Sequence, residues 1–445
     1  MPADNGFAMR SGQAQPTPLF ALVDVNNFYV SCERAFNPRL NNVPVVVLSN
    51  NDGCAVARSN EVKALGIKMS APWFKFKELA QQHGIVALSS NYTLYGDMSN
   101  RVVSVLREFS PDIEVYSIDE SFLRVDTVVH LHGGATAMGQ AMRDKIRRWT
   151  RLPVCAGFGS TKTLAKLANH IAKKNPVFNG VCDLSSMTDA ERAGWMHKIG
   201  VGEVWGIGRR ISARLEAMGV QTVLDLASTD QKALRMQFGV VVERTASELR
   251  GVSCLELDEL APPKQQIMAS RSFGCMVHTV AELGEAVAWH VERAAQRLRA
   301  QESLAGAVYV FVKTNRFRET DAQYNGGMVV PLADVSDDTF QLTAAALTGL
   351  QHIYRADFGY KKCGVMLMAL TAKGQRQETL FDDAVVCARS AKSAKAMAVM
   401  DAINRVWGSG TLRTGAAGIS KRWAMRSENR SPRYTTCWEE LPIAH

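Results

Sequence analysis

Three carboxylates carry the first sign of chemistry in this chain. Residues 115–125 read VYSIDESFLRV, so Asp119 and Glu120 stand side by side among strand-forming residues. Adjacent carboxylates repel each other, and burial raises the cost of keeping both charged. Asp24 sits near the end of another apolar run, FALVDV at 20–25. If the two segments are neighbouring strands, Asp24, Asp119 and Glu120 meet at one sheet edge. Divalent cations would relieve their repulsion, most naturally Mg²⁺, which takes oxygen ligands and keeps waters. Two such ions can polarise an attacking hydroxyl and stabilise a leaving pyrophosphate. The pair also reads as an acidic hairpin turn with Asp24 unrelated to it.

Cations follow. Residues 141–175 hold nine basic side chains against one acid, Asp144. Lys162, Lys166 and Lys173 recur at helical spacings of four and seven, a face that can meet phosphate or simply water. Asn60 and Lys63 lie three apart, just after the NNDG turn at 50–53. Gly206 and Gly208 bracket Ile207 ahead of Arg209 and Arg210, with MGV at 218–220. That pattern fits a helix-hairpin-helix whose amides face a DNA phosphate, and equally a plain helical turn. QETLF at 377–381 places Leu380 and Phe381 in a polar tail, where they need a partner pocket or an anchor on their own chain. His130 and His132 read as loop residues, and neither a Rossmann nor a P-loop glycine pattern occurs.

The elements that must hold these groups alternate. Strands are predicted at 20–25, at 43–48, in the hairpin of 115–125 and at 154–159. Helices are predicted at 59–65, 99–109, 138–149 and 163–174, so the chain to about residue 185 is an α/β unit. Residues 189–250 read as helical. Pro262-Pro263-Lys264 reads as a linker. From 266 to 371 the order is strand, helix 280–301, strands 307–313 and 327–331, helix 339–354 and strand 364–370, a second α/β sandwich. The tail is polar and basic, with one helix over 391–407 whose Met397, Met400, Ile403 and Trp407 share a face.

The whole chain agrees with a multidomain soluble protein. Its 445 residues suggest two to four domains, and the net charge of +9 suits a polyanion without requiring one. Nine cysteines form no CxxC pair, which argues against a disulfide scaffold or zinc ribbon and for a reduced, cytoplasmic setting. No apolar run reaches the roughly 18 residues of a membrane span. Residues 1–18 are polar, lack the apolar centre of a signal peptide, and read as a disordered leader.

FALVDVNNFYVSCE, VVVLSNNDGCAVARSNEVKALGIKMSAPWF, SSNYTLYGDMSNRV, YSIDESF and GFGSTKTLAKLANHIAK occur in that order. Together they resemble a Y-family translesion DNA polymerase, over about residues 19–445. SNNDGC, QETLF and the terminal SPRYTTCWEELP narrow the resemblance to the UmuC type. It implies a right-hand polymerase of mixed α/β and α+β domains. The palm would span 19–188 with fingers inserted at about 43–85, and the helical thumb 189–262. The little finger would span 263–371, and a tail with clamp-binding and partner-binding regions 372–445.

The same resemblance implies site roles. Asp24, Asp119 and Glu120 would be the catalytic triad, holding two Mg²⁺ ions with the Val25 carbonyl. Tyr29 would be the steric gate that crowds a ribose 2′-hydroxyl, and Cys54–Ala57 the roof over the nascent pair. Arg58, Asn60, Lys63 and Lys173 would meet the nucleotide. Lys162, Gly206, Gly208, Arg209 and Arg271 would meet DNA, and Gln377, Leu380 and Phe381 the sliding clamp. Many family members carry Tyr and Arg where this chain has Asn60 and Lys63, and a lysine offers a point charge rather than a bidentate fork. The implied activity is error-prone lesion bypass in the SOS response. Its partners would be damaged primer–template, dNTP, the clamp, a UmuD-type dimer and the RecA filament, with no membrane. The alternatives are a catalytically silent adaptor of a mutasome, against which the retained triad argues, and a nucleotidyl cyclase. Against the cyclase stand the GIG hairpin, the basic segments and the tail.

Overall fold

All six residues of Phe20–Val25 (β1) are buried, the pattern of a strand covered on both faces. The computed structural model describes residues 18–258, 263–318, 320–375, 384–419 and 422–441. The leader to residue 17 and the QETLF segment with Gln377, Leu380 and Phe381 lie outside the described residues. After β1 come α1 (Phe28–Phe36), β2 (Val45–Leu48), β3 (Ala55–Arg58), α2 (Asn60–Ala64), α3 (Trp73–Gln82), β4 (Val86–Ser89) and α4 (Tyr92–Leu106). Then follow β5 (Ile113–Val115), β6 (Glu120–Arg124), α5 (Ala135–Thr150), β7 (Val154–Gly159), α6 (Lys162–Lys174) and β8 (Val181–Asp183). Five helices continue the chain: α7 (Asp189–His197), α8 (Arg209–Ala217), α9 (Val223–Ser228), α10 (Gln231–Phe238) and α11 (Val240–Leu249).

Two compact units divide the chain. Among the described residues, the first takes Leu48–Cys54 out of its sequence and takes back everything from Arg430 onward. Its main sheet has the order β5-β6-β1-β7-β8, antiparallel except for the β7–β8 pair. A three-stranded sheet, β3-β2-β4, stands beside it in the sequence. The helices from α7 on pack with α6 around Leu167, Ile171, Leu215 and Leu234.

Helix α6 is held unusually close to the sheet. A Cβ at Gly157 would collide with the backbone of Ala165, Ala168 and Asn169, so only glycine permits the approach. Buried Asn169 then donates to the carbonyls of Leu22 (3.2 Å) and Cys155 (2.9 Å), stapling the helix to β1 and β7. Thr161 caps the helix, accepting from the Leu164 amide and donating to the Glu248 carbonyl.

The second unit follows the predicted order. β9 (Ile267–Val277), α12 (Val280–Ala300), β10 (Ser303–Lys313), β11 (Asn325–Ser336), α13 (Thr339–Ile353) and β12 (Tyr360–Ala372) form a sheet β11-β10-β12-β9, with the helices packed on it. The strands run longer than predicted, because their alternating ends carry polar residues that a search for apolar runs passes over. The 50–52 turn joins this unit, where Asn51 donates to the Ser272 carbonyl and accepts from the Arg426 amide.

Two expectations need correction. Helix α4 starts at Tyr92 rather than Ser99, because Asn91 caps it and Leu94, Tyr95 and Met98 give it a buried face upstream. In α14 (Ala384–Trp407), Met397 and Met400 are buried but Trp407 is 76% exposed, so it does not share their face. The tail also contributes to both units. Trp423 lies in the second unit's core, while Tyr434 packs against the first unit's. No helix among the described residues is long and apolar enough to cross a membrane.

Candidate active site

Strand register decides which carboxylates meet. Antiparallel pairing of β1 with β6 sets Asp24 directly opposite Glu120. Asp119 sits one residue before β6, and its carbonyl accepts from the Val25 amide at 2.9 Å. Its carboxylate accepts from the Ser117 hydroxyl at 2.7 Å, and that hydroxyl accepts in turn from the amides of Asp119 and Glu120. Asp24 and Glu120 are therefore brought together, while the Asp119 side chain is turned to Ser117. Among the described residues, no three carboxylate, histidine or cysteine side chains form a ready cage for an ion.

Lysines from α6 stand where the cations were expected. Lys173 Nζ lies 2.5 Å from Asp24 Oδ2. Lys166 Nζ lies 2.8 and 2.7 Å from the two Glu120 oxygens, over the Tyr116 and Trp205 rings. Burial pushes the Asp24 carboxyl up to about 7; Lys173 pulls it down, and Glu120 adds to the rise. These groups line a cleft of about 160 Å³ with His170. The donor chemistry fits a hard divalent cation, since the candidate ligands are all oxygens and Asp24 faces Glu120 across the strand pair. Lys166 was legible only as one member of a basic stretch; its partner Glu120 needed the sheet.

Beside the carboxylates lies a tyrosine cluster. Asn27 starts α1 in the left-handed region (φ 48°), which sends the chain round sharply after β1. Tyr29 then stacks on Tyr95 with ring centres 4.3 Å apart and planes 13° from parallel, and Tyr92 meets it edge-on at 6.1 Å. Burial, reinforced by Tyr92 and Asp119, raises the Tyr29 hydroxyl above its ordinary value. Asn27 also gathers two nucleotide candidates, donating to Asn60 Oδ1 (3.0 Å) and accepting from Lys63 Nζ (2.5 Å). Burial lowers the Lys63 ammonium, with Arg58 and Lys173 acting in the same direction and Asp24 opposing. Arg58, Lys63, Lys173 and Asp24 thus share one field. Arg58 itself donates to the Ile67 carbonyl.

The DNA candidates separate. Lys162 is 4% exposed, its Nζ is 2.6 Å from Glu114 and 3.2 Å from the Glu256 carbonyl, and it lies over the Phe122 ring. A side chain so enclosed has no surface to offer a phosphate, and the expected DNA contact is corrected to a buried ion pair. Gly206 (φ 87°) and Gly208 lead into α8, whose first residue Arg209 is exposed. In the second unit, Arg271 lies near the Trp289 ring, as does Arg293. Burial lowers Arg293, and Arg271 and Arg297 lower it further, so three guanidiniums share one surface of positive potential. The sequence marked only Arg271 of the three.

Comparison with known proteins covers both units. Residues 23–170 match the impB/mucB/samB family, 264–380 its C-terminal domain, and 394–444 a domain of unknown function, DUF4113. The chain is 45% identical to Protein UmuC of Salmonella typhimurium over 424 residues, covering 95% of this chain and 99% of that one. It is 42% identical to Protein MucB of Escherichia coli over 426 residues, covering 96% and 99%. A DNA polymerase IV of Desulfatibacillum aliphaticivorans is 26% identical over 396 residues, covering 88% and 95%. Among solved structures, a Y-family DNA polymerase chimera of Dbh and Dpo4 shares the fold, with TM-score 0.62 and 19% identity over 80% of this chain and 99% of that one.

Proposed function

Because the chain belongs to the UmuC, MucB and SamB group of Y-family translesion polymerases, and is thereby a DNA-directed DNA polymerase, we propose that it serves the SOS response through two-metal nucleotidyl transfer at Asp24, Asp119 and Glu120. The observation that carries this reading is the placement of Asp24 opposite Glu120 under Lys173 and Lys166. Asp24, Asp119, Glu120 and the Val25 carbonyl would hold Mg²⁺, which would supply polarisation of the primer hydroxyl and charge relief at the leaving pyrophosphate.

The chain's own residues do the rest. Lys173, Lys63 and Arg58 lower the cost of bringing a triphosphate beside carboxylates. Asn60 holds Asn27, which also accepts from the Lys63 ammonium. Lys166 holds both Glu120 carboxylate oxygens in place at the cleft. The Tyr29 ring, backed by Tyr95, crowds a ribose 2′-hydroxyl and so selects deoxynucleotides. Gly206, Gly208 and Arg209 meet the duplex backbone, and Arg271 a template phosphate. The palm spans 19–188 with fingers at about 43–85, the thumb 189–262, the little finger 263–371 and the tail 372–445. Gln377, Leu380 and Phe381 engage the sliding clamp, the tail engages a UmuD-type dimer and the RecA filament, and the protein works in the cytoplasm.

The test is primer extension on a template with one abasic site, with and without Mg²⁺. The wild-type chain extends past the site only with the cation. Asp119→Ala and Glu120→Ala lose extension by roughly a thousandfold or more while still binding primer–template. Extension by either variant at the wild-type rate refutes the assignment.

A further inference from the structure

The last described stretch of the chain returns to the first unit and packs against its core. Arg430 forms a parallel bridge with Ser89 at the end of β4. Asn91, the residue that caps α4, donates to the Ser431 carbonyl (3.1 Å), the Ser431 hydroxyl (2.9 Å) and the Pro432 carbonyl (3.0 Å). Tyr434 stacks on Phe36 of α1, with ring centres 4.9 Å apart and planes 5° from parallel. Arg433 closes the segment on itself through Glu440.

What the segment touches gives it a role. The Ser431 hydroxyl donates to Glu33 Oε1 at 3.0 Å, and the same oxygen accepts from the Tyr95 hydroxyl at 2.6 Å. Glu33 is 1% exposed, so these donors answer a carboxylate that has left water. Tyr95, fully buried, is the ring on which Tyr29 stacks. One continuous path therefore runs from Ser431 through Glu33 and Tyr95 to Tyr29. Asn91 adds a second path, since it holds both Ser431 and the start of the helix that carries Tyr92 and Tyr95.

We infer that residues 430–434 are a positioning strap for sugar selection: Ser431, through Glu33 and Tyr95, sets the seat of the Tyr29 ring. This gives a task to the end of the segment that matches a domain of unknown function. It rests on the reading of Tyr29 as the residue that crowds the 2′-hydroxyl. Exclusion of one oxygen by a ring is a matter of close contact, and packed interiors transmit small displacements rather than absorbing them. Without the Ser431 hydroxyl, Glu33 has one donor fewer and draws differently on Tyr95. The ring beneath Tyr29 then loses its fixed position, while the carboxylates and lysines of the chemical step stay in place.

Single-nucleotide insertion by the full chain tests this, with each variant given dNTP and rNTP from the same preparation. Ser431→Ala and Tyr95→Phe raise the rNTP-to-dNTP ratio of kcat/KM by roughly fivefold, the size of one weak interaction lost. Most of the change falls in KM for the ribonucleotide, and Ser431→Thr restores the ratio. Poor folding lowers both substrates together and leaves the ratio unmoved. Tyr29→Ala raises the ratio further, and adding Ser431→Ala to it changes nothing more. If Tyr29→Ala raises the ratio and neither Ser431→Ala nor Tyr95→Phe does, the strap is overturned and the gate stands. If the double variant exceeds Tyr29→Ala alone, the strap does not act through Tyr29 and is overturned. If Tyr29→Ala leaves the ratio unchanged, the gate reading fails and the strap with it.

Discussion

At the scale of single residues, two lysines on one helix have opposite fates. Lys166 reaches Glu120 in the cleft, and Lys162, one turn earlier, is sealed with Glu114. Both side chains of the sealed pair are nearly inaccessible, at 5% and 8%. Removing one partner of a buried pair strands the other, at a cost of about 3–5 kcal/mol. Lys162→Ala should therefore lower the unfolding free energy measured by denaturant titration by about that amount. The salt dependence of DNA binding by the folded protein should stay as in wild type, since no phosphate contact is lost. A reduced salt slope would return Lys162 to the DNA interface. The spacing of four and seven made all three lysines visible, but spacing names a helix face and not what covers it. Glu114 is 48 residues from Lys162, and nothing local couples them. Asp24 and Glu120 were legible for the opposite reason: each lies in an apolar run, and a strand has few ways to hold a carboxylate there.

At the scale of elements, the site depends on how closely α6 approaches β7. Gly157 admits the helix backbone, and Asn169 fastens it to two strands. Gly157→Ala should push α6 outward, carrying Lys166 and Lys173 off their carboxylates. Overpacking of this kind costs about 1–3 kcal/mol, and more where backbone is struck. The expected result is a lower melting temperature together with reduced primer extension in the fraction that remains folded. A variant that melts lower but extends at the wild-type rate would show that the lysines follow the strand. Strands and helices of both units were mostly legible from periodicity. The exceptions were ends set by caps, as at Asn91, and long strands whose exposed alternate residues are polar.

At the scale of the whole molecule, the partner contacts assigned to the tail divide by position. Leu380→Ala with Phe381→Ala should abolish binding to purified sliding clamp in a titration while leaving extension without the clamp intact. Unchanged affinity would remove the QETLF segment from that role. The return of residues 430–441 to the first unit was not legible at all. SPRYTTCWEELP has no apolar periodicity, and its docking rests on one hydroxyl, one stacked ring and Asn91.

That return sets the order in which the molecule can be finished. The ribosome delivers nearly all of the first unit, then the whole stretch from Pro262 to Asn429, and only then the residues that close the first unit. At about 5–20 residues per second, the interval is roughly 10–30 s. During it Asp24, Asp119, Glu120, Lys166 and Lys173 are already made, but the Glu33 side chain waits for the Ser431 hydroxyl. If Ser431 seats the Tyr29 ring as inferred, a chain ending before Arg430 excludes ribonucleotides about fivefold less well than the finished one, and completion of synthesis sharpens its choice of sugar.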